Sequence, residues 1–455
     1  MGKLFGTDGI RGLANEYPIT CEMAMDIGRA VAHIFRTGTD RSKIVIGKDT
    51  RISGDMIEYA LVSGICSMGV DAVLAEVLPT PGIAYMTSSM GANAGIVISA
   101  SHNPFYDNGI KIFNKEGFKL SDKKEEEIEH FILNEKPSLM CKTVRDTGRA
   151  LKIEDAGKNY IDFLKSALPE GFSLNGIKIV IDCANGATYQ VAPKLFKELG
   201  ADVESIYIKP DGKNINENCG SQHTDKLSEI VLKKEADIGF AFDGDGDRLI
   251  AVDEKGNVTT GDQILAVCSY MLKQKRKLKN NLVISTVMSN LGLKVALKDM
   301  NIEHMMTDVG DRYVMEEMIS SGAVLGGEDS GHMIFLDYQT TGDGILSALK
   351  LIESMKFESK SLSELKKNMT VFPQALINVT VKSKPEISSL PAAQEAIRSV
   401  EKDLGEKGRV LVRYSGTQPI CRVMVEGPTE KETQRYCKQI SDVIQKELGS
   451  GKLNI

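Results

Sequence analysis

The sequence predicts an α/β protein: three related α/β domains with mostly parallel sheets, followed by a smaller C-terminal α+β domain. Three observations predict it. The chain has 455 residues, too many for one compact core and near the length of about three domains of roughly 150 residues. A strand–helix–strand–helix–strand grammar appears and then restarts twice along the chain. After about Thr370 that grammar gives way to isolated strands and two amphipathic helices.

The elements follow in order. From Lys43 the pattern runs strand (KIVIG), amphipathic helix (Asp55 to Met68), strand (Asp71 to Val77), helix after Pro81 and strand GIVIS ending at Ser99. Short apolar runs bounded by turn formers are what buried parallel strands require. The grammar restarts at Lys178 with KIVIDCANG, a helix ending near Gly200, strand ADVESIYI, a helix from Asp225 to Glu235 with Thr224 as candidate N-cap, and strand ADIGFAF ending at Asp243. It restarts again with NLVISTV, a helix from Leu291 to Met300, strand IEHMMTDVG, a helix from Arg312 to Ser321 and strand AVLGG. Beyond Thr370 come a strand (LINVTVK), a helix (Leu390 to Leu404), a β-pair around YSGTQP and a last helix from Thr429 to Leu448. Polar stretches near Ile153, Glu254 to Asn257 and Ser359 to Asn368 divide the chain into expected domains of residues 1–153, 154–255, 256–368 and 369–455.

Composition narrows the class. Apolar residues make up 42% and charged residues 26%, ordinary for a globular protein and far from disorder. A net charge of −6 with no basic tail offers no electrostatic footprint for nucleic acid, although a basic cleft for a small anion is compatible with it. The eight cysteines include no C-x-x-C pair, which argues for reduced structural thiols over a zinc or redox site. The start MGKLFGTDGIRG has no signal-peptide pattern, Gly6 stands where myristoylation needs Ser or Thr, and no apolar run reaches membrane-spanning length. A cytoplasmic protein without a membrane or nucleic-acid partner is expected.

Ligands of open parallel sheets bind at the carboxyl ends of strands, and the loop after each unit's last strand is unusual. Ser99-Ala100-Ser101-His102-Asn103-Pro104, followed by Asp107 to Lys111, places a candidate nucleophile, Ser101, beside His102 and ahead of Lys111. The same residues also fit a polar turn forced by Asn103-Pro104. Asp243-Gly244-Asp245-Gly246-Asp247-Arg248 alternates carboxylates with glycines, which lets three hard oxygen ligands converge on one divalent cation such as Mg²⁺. An EF-hand is excluded because Arg248 replaces the required glycine and a β-run precedes the loop. Gly326 to His332, with Glu328, Asp329, Ser330 and His332, mixes donors and acceptors as sugar hydroxyls require, though a helix cap with a satisfied histidine fits too. Arg413-Tyr414-Ser415-Gly416-Thr417-Gln418-Pro419, with Arg422, reads as a phosphate cradle or as a hairpin turn with exposed arginines.

The ordered set of four loops resembles the α-D-phosphohexomutase superfamily over essentially the whole chain. Within it FGTDGIRG, SASHNP with DNGIK, VGDRYVMEEM and FLDYQTTGDG look most like the branch acting on glucosamine phosphates. The resemblance implies four domains around a central cleft and a phosphoserine at Ser101, which is itself a metal ligand through its phosphate. It implies Mg²⁺ on Asp243, Asp245 and Asp247. Arg248 and His102 would steady the phosphoserine, Arg11, Lys111 and His332 would line the reacting end, and Lys111 or His332 would be the acid/base. Glu328 and Ser330 would hold sugar hydroxyls, and Arg413, Ser415, Gly416 and Thr417 the phosphate that is not transferred. The implied reaction converts glucosamine 6-phosphate to glucosamine 1-phosphate through a bound hexosamine 1,6-bisphosphate, with a homodimer as the assembly the resemblance suggests.

Four positions depart from the branch's pattern: Asp308 replaces a usual lysine, Asp329 a glutamine, Tyr414 a proline and Gln418 a glutamate. They leave open a branch acting on mannose or glucose phosphates by the same chemistry, and a phosphosugar-binding regulator without turnover.

Overall fold

The computed structural model describes residues 4–6, 8–37, 41–135, 143–415 and 419–449. The described chain falls into two compact units, residues 1–288 with 302–368 and residues 289–301 with 369–455. The first unit carries three sheets built on one plan.

In the first sheet, β1 (Ile10–Leu13), β2 (Lys43–Lys48), β3 (Asp71–Val77), β4 (Ala94–Ile98), β5 (Asp107–Asn114) and β6 (Ala150–Lys152) lie in the order β1-β5-β4-β2-β3-β6. Strands β4, β2, β3 and β6 are mutually parallel, and β5 and β1 close one edge antiparallel. Parallel neighbours need helical crossovers, and Gly54–Ser67 and Thr80–Ser89 supply them. The apolar stripe of Cys21–Phe35, capped by Thr20, packs with the inward face of the sheet. β4 is buried along its whole length, as its unbroken apolar run requires of a strand covered on both faces.

The second sheet comprises β7 (Lys178–Asp182), β8 (Asp202–Ile206), β9 (Ile238–Phe242), β10 (Leu249–Asp253) and β11 (Val258–Thr259) in the order β11-β10-β9-β7-β8. β9, β7 and β8 are parallel, and β10 and β11 form an antiparallel edge. The third comprises β12 (Leu282–Thr286), β13 (Glu303–Thr307), β14 (Leu325–Gly327) and β15 (Met333–Phe335), with β13, β12 and β14 parallel and β15 antiparallel to β14.

The expected elements therefore form, and the α/β class with mostly parallel strands holds. One local expectation does not. Thr224 stands at the N-cap position of Asp225–Lys234, but its backbone is already helical (φ −89°, ψ −3°) and its side chain makes no capping bond. An N-cap hydroxyl reaches the free N–H groups from an extended backbone, which Thr224 lacks.

The second unit is a three-stranded antiparallel sheet, β16 (Gln374–Thr380), β17 (Arg409–Tyr414) and β18 (Ile420–Glu426), in the order β16-β18-β17, packed with helices Pro391–Leu404 and Glu430–Leu448. It also includes helix Leu291–Asp299, whose start is tied to the buried Glu426 carboxylate by the Leu291 N–H at 2.9 Å.

Candidate active site

The three loaded loops of the first unit occupy equivalent places. In each sheet the first strand of the parallel core has its second strand on one side and its third on the other, so the strand order reverses between the first and third. That reversal opens a crevice at the carboxyl ends. Residues 99–106 follow β4, residues 243–248 follow β9 and residues 328–332 follow β14, each leading from the third parallel strand into an antiparallel one.

Ser101 is 1% exposed. Its hydroxyl donates to Asp243 Oδ2 at 2.6 Å and faces His102 Nδ1 at 3.3 Å. With the hydroxyl proton on the Asp243 side, the His102 tautomer that fits carries hydrogen on Nδ1. Burial, then the Arg248 and Arg11 charges, lowers the His102 pKa to about 4, so the ring is neutral near neutral pH.

The second loop converges as its spacing suggests. Oxygens of Asp243, Asp245 and Asp247 lie within 4.8 Å of one another, and all three residues are buried. Gly246 takes φ +72°, the left-handed region that glycine adopts freely. Gly244 serves close approach: a Cβ there would stand 2.5 Å from the Ser101 carbonyl oxygen. Burial, with the Asp247 and Asp245 charges, pushes the Asp243 carboxyl well above its ordinary range. At Asp247 burial acts the same way but is outweighed by Lys111 and His332, which hold the carboxyl well below it.

Asp245 Oδ2 accepts from Thr80 Oγ1 at 2.7 Å and Lys111 Nζ at 2.9 Å. Oδ1 of Asp245 and Oδ1 of Asp247 are buried without a hydrogen-bond partner. Such orphan acceptors are expensive unless something binds them. Three buried carboxylates with two free oxygens, beside a serine that would carry a phosphate, fit a small hard cation with oxygen ligands.

Around the triad runs a closed ring of charges. Lys111 lies 2.9 Å from Asp245, 3.2 Å from Asp8 and 3.5 Å from Asp247. Burial opposes its charge, but these carboxylates prevail and raise its pKa. Asp8 also pairs with Arg11 and Lys119, and Lys119 pairs with Asp311. Asp311 lies 3.3 Å from His332 Nε2, and His332 Nδ1 lies 3.5 Å from Asp247. Two influences compete at His332. Burial favours the neutral ring, but Asp247 and Asp311 prevail and raise the pKa; the Gly342 N–H donates to Nε2 at 3.1 Å, which favours a proton on Nδ1 alone.

In the sugar-loop candidate, Glu328 Oε1 accepts from the Gly310 N–H at 3.2 Å, and burial raises its pKa. Ser330 and Asp329 are exposed. Asp329 Oδ1 accepts from the Asp262 N–H at 3.2 Å in the first turn of Gly261–Gln274, where a negative charge complements the helix dipole. Asp308 is exposed. A bridge between Arg248 and His332 joins this loop to the metal-loop candidate.

In the second unit, Arg413 and Arg422 stand directly opposite across β17 and β18. Like charges so placed repel, and burial together with Arg422 lowers the Arg413 pKa. Buried Ser415 directly follows β17, and its carbonyl accepts from Lys384 Nζ at 2.6 Å. An anion at this end would relieve the repulsion. Gly416, Thr417 and Gln418 lie outside the described residues.

The first unit thus brings Arg11, Ser101, His102, Lys111, Asp243, Asp245, Asp247, Arg248 and His332 into one network. Sequence reasoning missed Asp8, Lys119, Asp311 and Thr80. Asp8 and Asp311 stand inside GTDGIRG and VGDRYVM, so the motifs carried the signal without the partner assignments.

This fold and site define a phosphosugar-mutase class, and domain profiles agree. Those of phosphoglucomutase/phosphomannomutase match as alpha/beta/alpha domain I at residues 2–138, domain II at 158–256, domain III at 260–372 and the C-terminal domain at 376–443. The chain belongs to the phosphoglucomutase/phosphomannomutase family. It is 62% identical to a phosphoglucosamine mutase of Syntrophus aciditrophicus over 449 residues, 99% of this chain and 100% of that protein. It is 58% identical to one of Syntrophobacter fumaroxidans at the same coverage. Among solved structures, a Burkholderia thailandensis phosphoglucomutase/phosphomannomutase family protein aligns with TM-score 0.80 at 23% identity, covering 99% of both chains. An Aspergillus fumigatus N-acetylphosphoglucosamine mutase in complex with GlcNAc-6P and magnesium aligns with TM-score 0.66 at 16% identity over 97% of this chain and 95% of that one.

Proposed function

We propose that this chain is a phosphoglucosamine mutase, an isomerase that interconverts glucosamine 6-phosphate and glucosamine 1-phosphate through a phosphoserine at Ser101. One observation carries the reading: the Ser101 hydroxyl is hydrogen-bonded to Asp243, the first of three buried aspartates, two of which hold oxygens without a hydrogen-bond partner. Asp243, Asp245 and Asp247 would hold Mg²⁺, which when bound would neutralise charge on the phosphoryl group. Everything else is positioning by side chains, the larger part of catalysis in phosphoryl transfer.

In the forward half-reaction the bond from phosphorus to Ser101 Oγ breaks and a bond to the free sugar hydroxyl forms, giving the 1,6-bisphosphate. Of the two acid/base candidates that flank Asp247, His332 is the one to take the hydroxyl's proton, because the surrounding carboxylates keep Lys111 protonated as a donor and cation. Ser101 Oγ leaves as a hydroxyl, taking up a proton in place of the one the sugar loses; after the bisphosphate turns over, the bond from its opposite phosphorus to the sugar oxygen breaks as that phosphorus bonds Ser101 Oγ, and the serine's proton passes to the sugar oxygen by the reverse route. Arg248 and neutral His102 steady the phosphoserine, and Arg11 lines the reacting end. Glu328 and Ser330 accept and donate to sugar hydroxyls, and Arg413, Ser415, Gly416 and Thr417 grip the phosphate at rest. Asp329 and Asp308 give little reason to move to a neutral sugar: one is engaged at a helix start and the other is exposed. Among the described residues no helix is long and apolar enough to cross a membrane, in keeping with work in the cytoplasm on a small phosphosugar; a homodimer is the assembly to look for by light scattering.

The test is kcat/KM of Ser101-phosphorylated protein, with Mg²⁺ and a bisphosphate primer, on glucosamine, glucose and mannose 6-phosphates. A clear preference for the amino sugar is expected. Preference for a neutral sugar would keep the chemistry and reject the substrate, and wild-type turnover by Ser101→Ala would reject Ser101 as carrier.

A further inference from the structure

Ser101 has φ +52°, a left-handed conformation that a residue with a side chain holds only where its surroundings impose it. Those surroundings form a closed hydrogen-bonded circuit. The buried Arg51 guanidinium donates through Nη2 to the carbonyl oxygens of Ser101 at 3.0 Å and Asn103 at 2.5 Å. Asn216, from the connection after β8, donates through Nδ2 to the same two oxygens, each at 2.9 Å. A carboxamide has two hydrogens on nitrogen, and here each faces one carbonyl.

The other side of Ser101 is tied as well. Its N–H donates to Ser99 Oγ at 2.9 Å, and the Ser99 hydroxyl is hydrogen-bonded to the buried Asp49 carboxylate. Asp49 in turn pairs with the Arg51 guanidinium and accepts the Arg51 N–H at 2.9 Å. Both backbone polar groups of Ser101 are thereby held, and the missing Cβ of Gly244 leaves room for Asn216 Nδ2, which would stand 2.8 Å from that atom.

We propose that Arg51 and Asn216 are positioning residues for the phosphoryl carrier. By clamping the Ser101 and Asn103 carbonyls from two sheets, they hold the serine backbone left-handed, so that Oγ meets the Asp243 carboxylate and returns to one position after each of the two transfers. The proposal rests on the reading of Ser101 as carrier. Neither residue touches the reacting atoms; each acts through the loop. Without the clamp the loop relaxes toward an ordinary conformation and displaces Oγ, and a displacement of about 1 Å lowers a transfer rate by on the order of 100-fold.

The experiment measures kcat and KM on glucosamine 6-phosphate, with Mg²⁺ and bisphosphate primer, for Asn216→Ala, Asn216→Asp, Arg51→Lys and Ser101→Ala, with a thermal melt of each. Asn216→Asp is isosteric, so it preserves packing while turning a donor into a carboxylate facing two carbonyls. The expected result is kcat lower by roughly 10-fold in Asn216→Ala and roughly 100-fold in Asn216→Asp, with KM within about 2-fold of wild type. Arg51→Lys, which keeps the charge but loses the fork, is expected to lose kcat without a change in KM. Should it fail to fold, the Asn216 pair decides alone. Wild-type kcat in Asn216→Asp beside a dead Ser101→Ala would overturn the clamp and leave the carrier standing. A rise in KM at unchanged kcat would overturn it too, by assigning Asn216 to substrate binding. An active Ser101→Ala would remove the carrier reading and the clamp with it.

Discussion

At Gly244 a single missing methyl group joins two domains' chemistry. The glycine's Cα faces the Ser101 carbonyl so closely that a Cβ would be 2.5 Å from its oxygen, a backbone atom that cannot swing aside. Gly244→Ala is therefore expected to push the metal loop and the serine loop apart. Stability should fall by about 1–3 kcal/mol, as overpacking of a rigid site does, and turnover should fall with it. A urea midpoint and kcat equal to wild type would refute this. The sequence made Gly244 legible as a turn former, but its actual constraint is a contact with a residue far away in the chain. The same holds for Asp8, visible in its motif yet meaningful only once Arg11, Lys111 and Lys119 surround it.

Among the elements, helix Gly344–Glu358 shows how a cap can be set by burial. Asp343 is its N-cap, accepting the Leu346 N–H at 2.9 Å and the Tyr160 hydroxyl at 2.8 Å. Burial raises its pKa to about 6. For an acid whose folded pKa lies above its unfolded value, the folded state binds the proton more tightly. The favourable contribution is complete below about pH 4, the unfolded value, and is lost as pH rises through about 6. Asp343→Asn keeps the cap oxygen and cannot ionise. Melting curves between pH 4 and 7 should show the wild type losing on the order of 2 kcal/mol relative to the variant. Parallel curves for the two proteins would contradict the assignment. Nothing in the local sequence announces this titration, because burial by the packed fold causes it, and the Tyr160 hydroxyl that tempers it is 183 residues away.

For the whole molecule, the recurring plan explains why the site is assembled from separate domains. Each sheet offers one loop at its strand-order reversal, and each loop supplies one kind of chemistry: a serine, a carboxylate triad, and a set of donors and acceptors. The triad should also make the protein's stability depend on divalent cation. A cation that binds only the folded state stabilises it by about 2.7 kcal/mol at 100 times its Kd. Excess chelator should lower the melting temperature and Mg²⁺ should restore it, with Asp245→Asn blunting the recovery. Melting that ignores both chelator and Mg²⁺ would move the metal elsewhere.

What the sequence determined by itself was whatever local physics writes into it. Apolar runs and helical periodicity marked the repeated α/β grammar, and glycine-spaced aspartates marked a cation loop. What only the tertiary structure decided was partnership. The Asp8–Lys119–Asp311–His332 ring and the Arg51–Asn216 hold on Ser101 depend on residues brought together from distant parts of the chain. A side chain's own neighbours along the chain set its backbone preference, whereas its charge state, its hydrogen-bond partner and its role depend on which distant groups the packed sheets deliver to it.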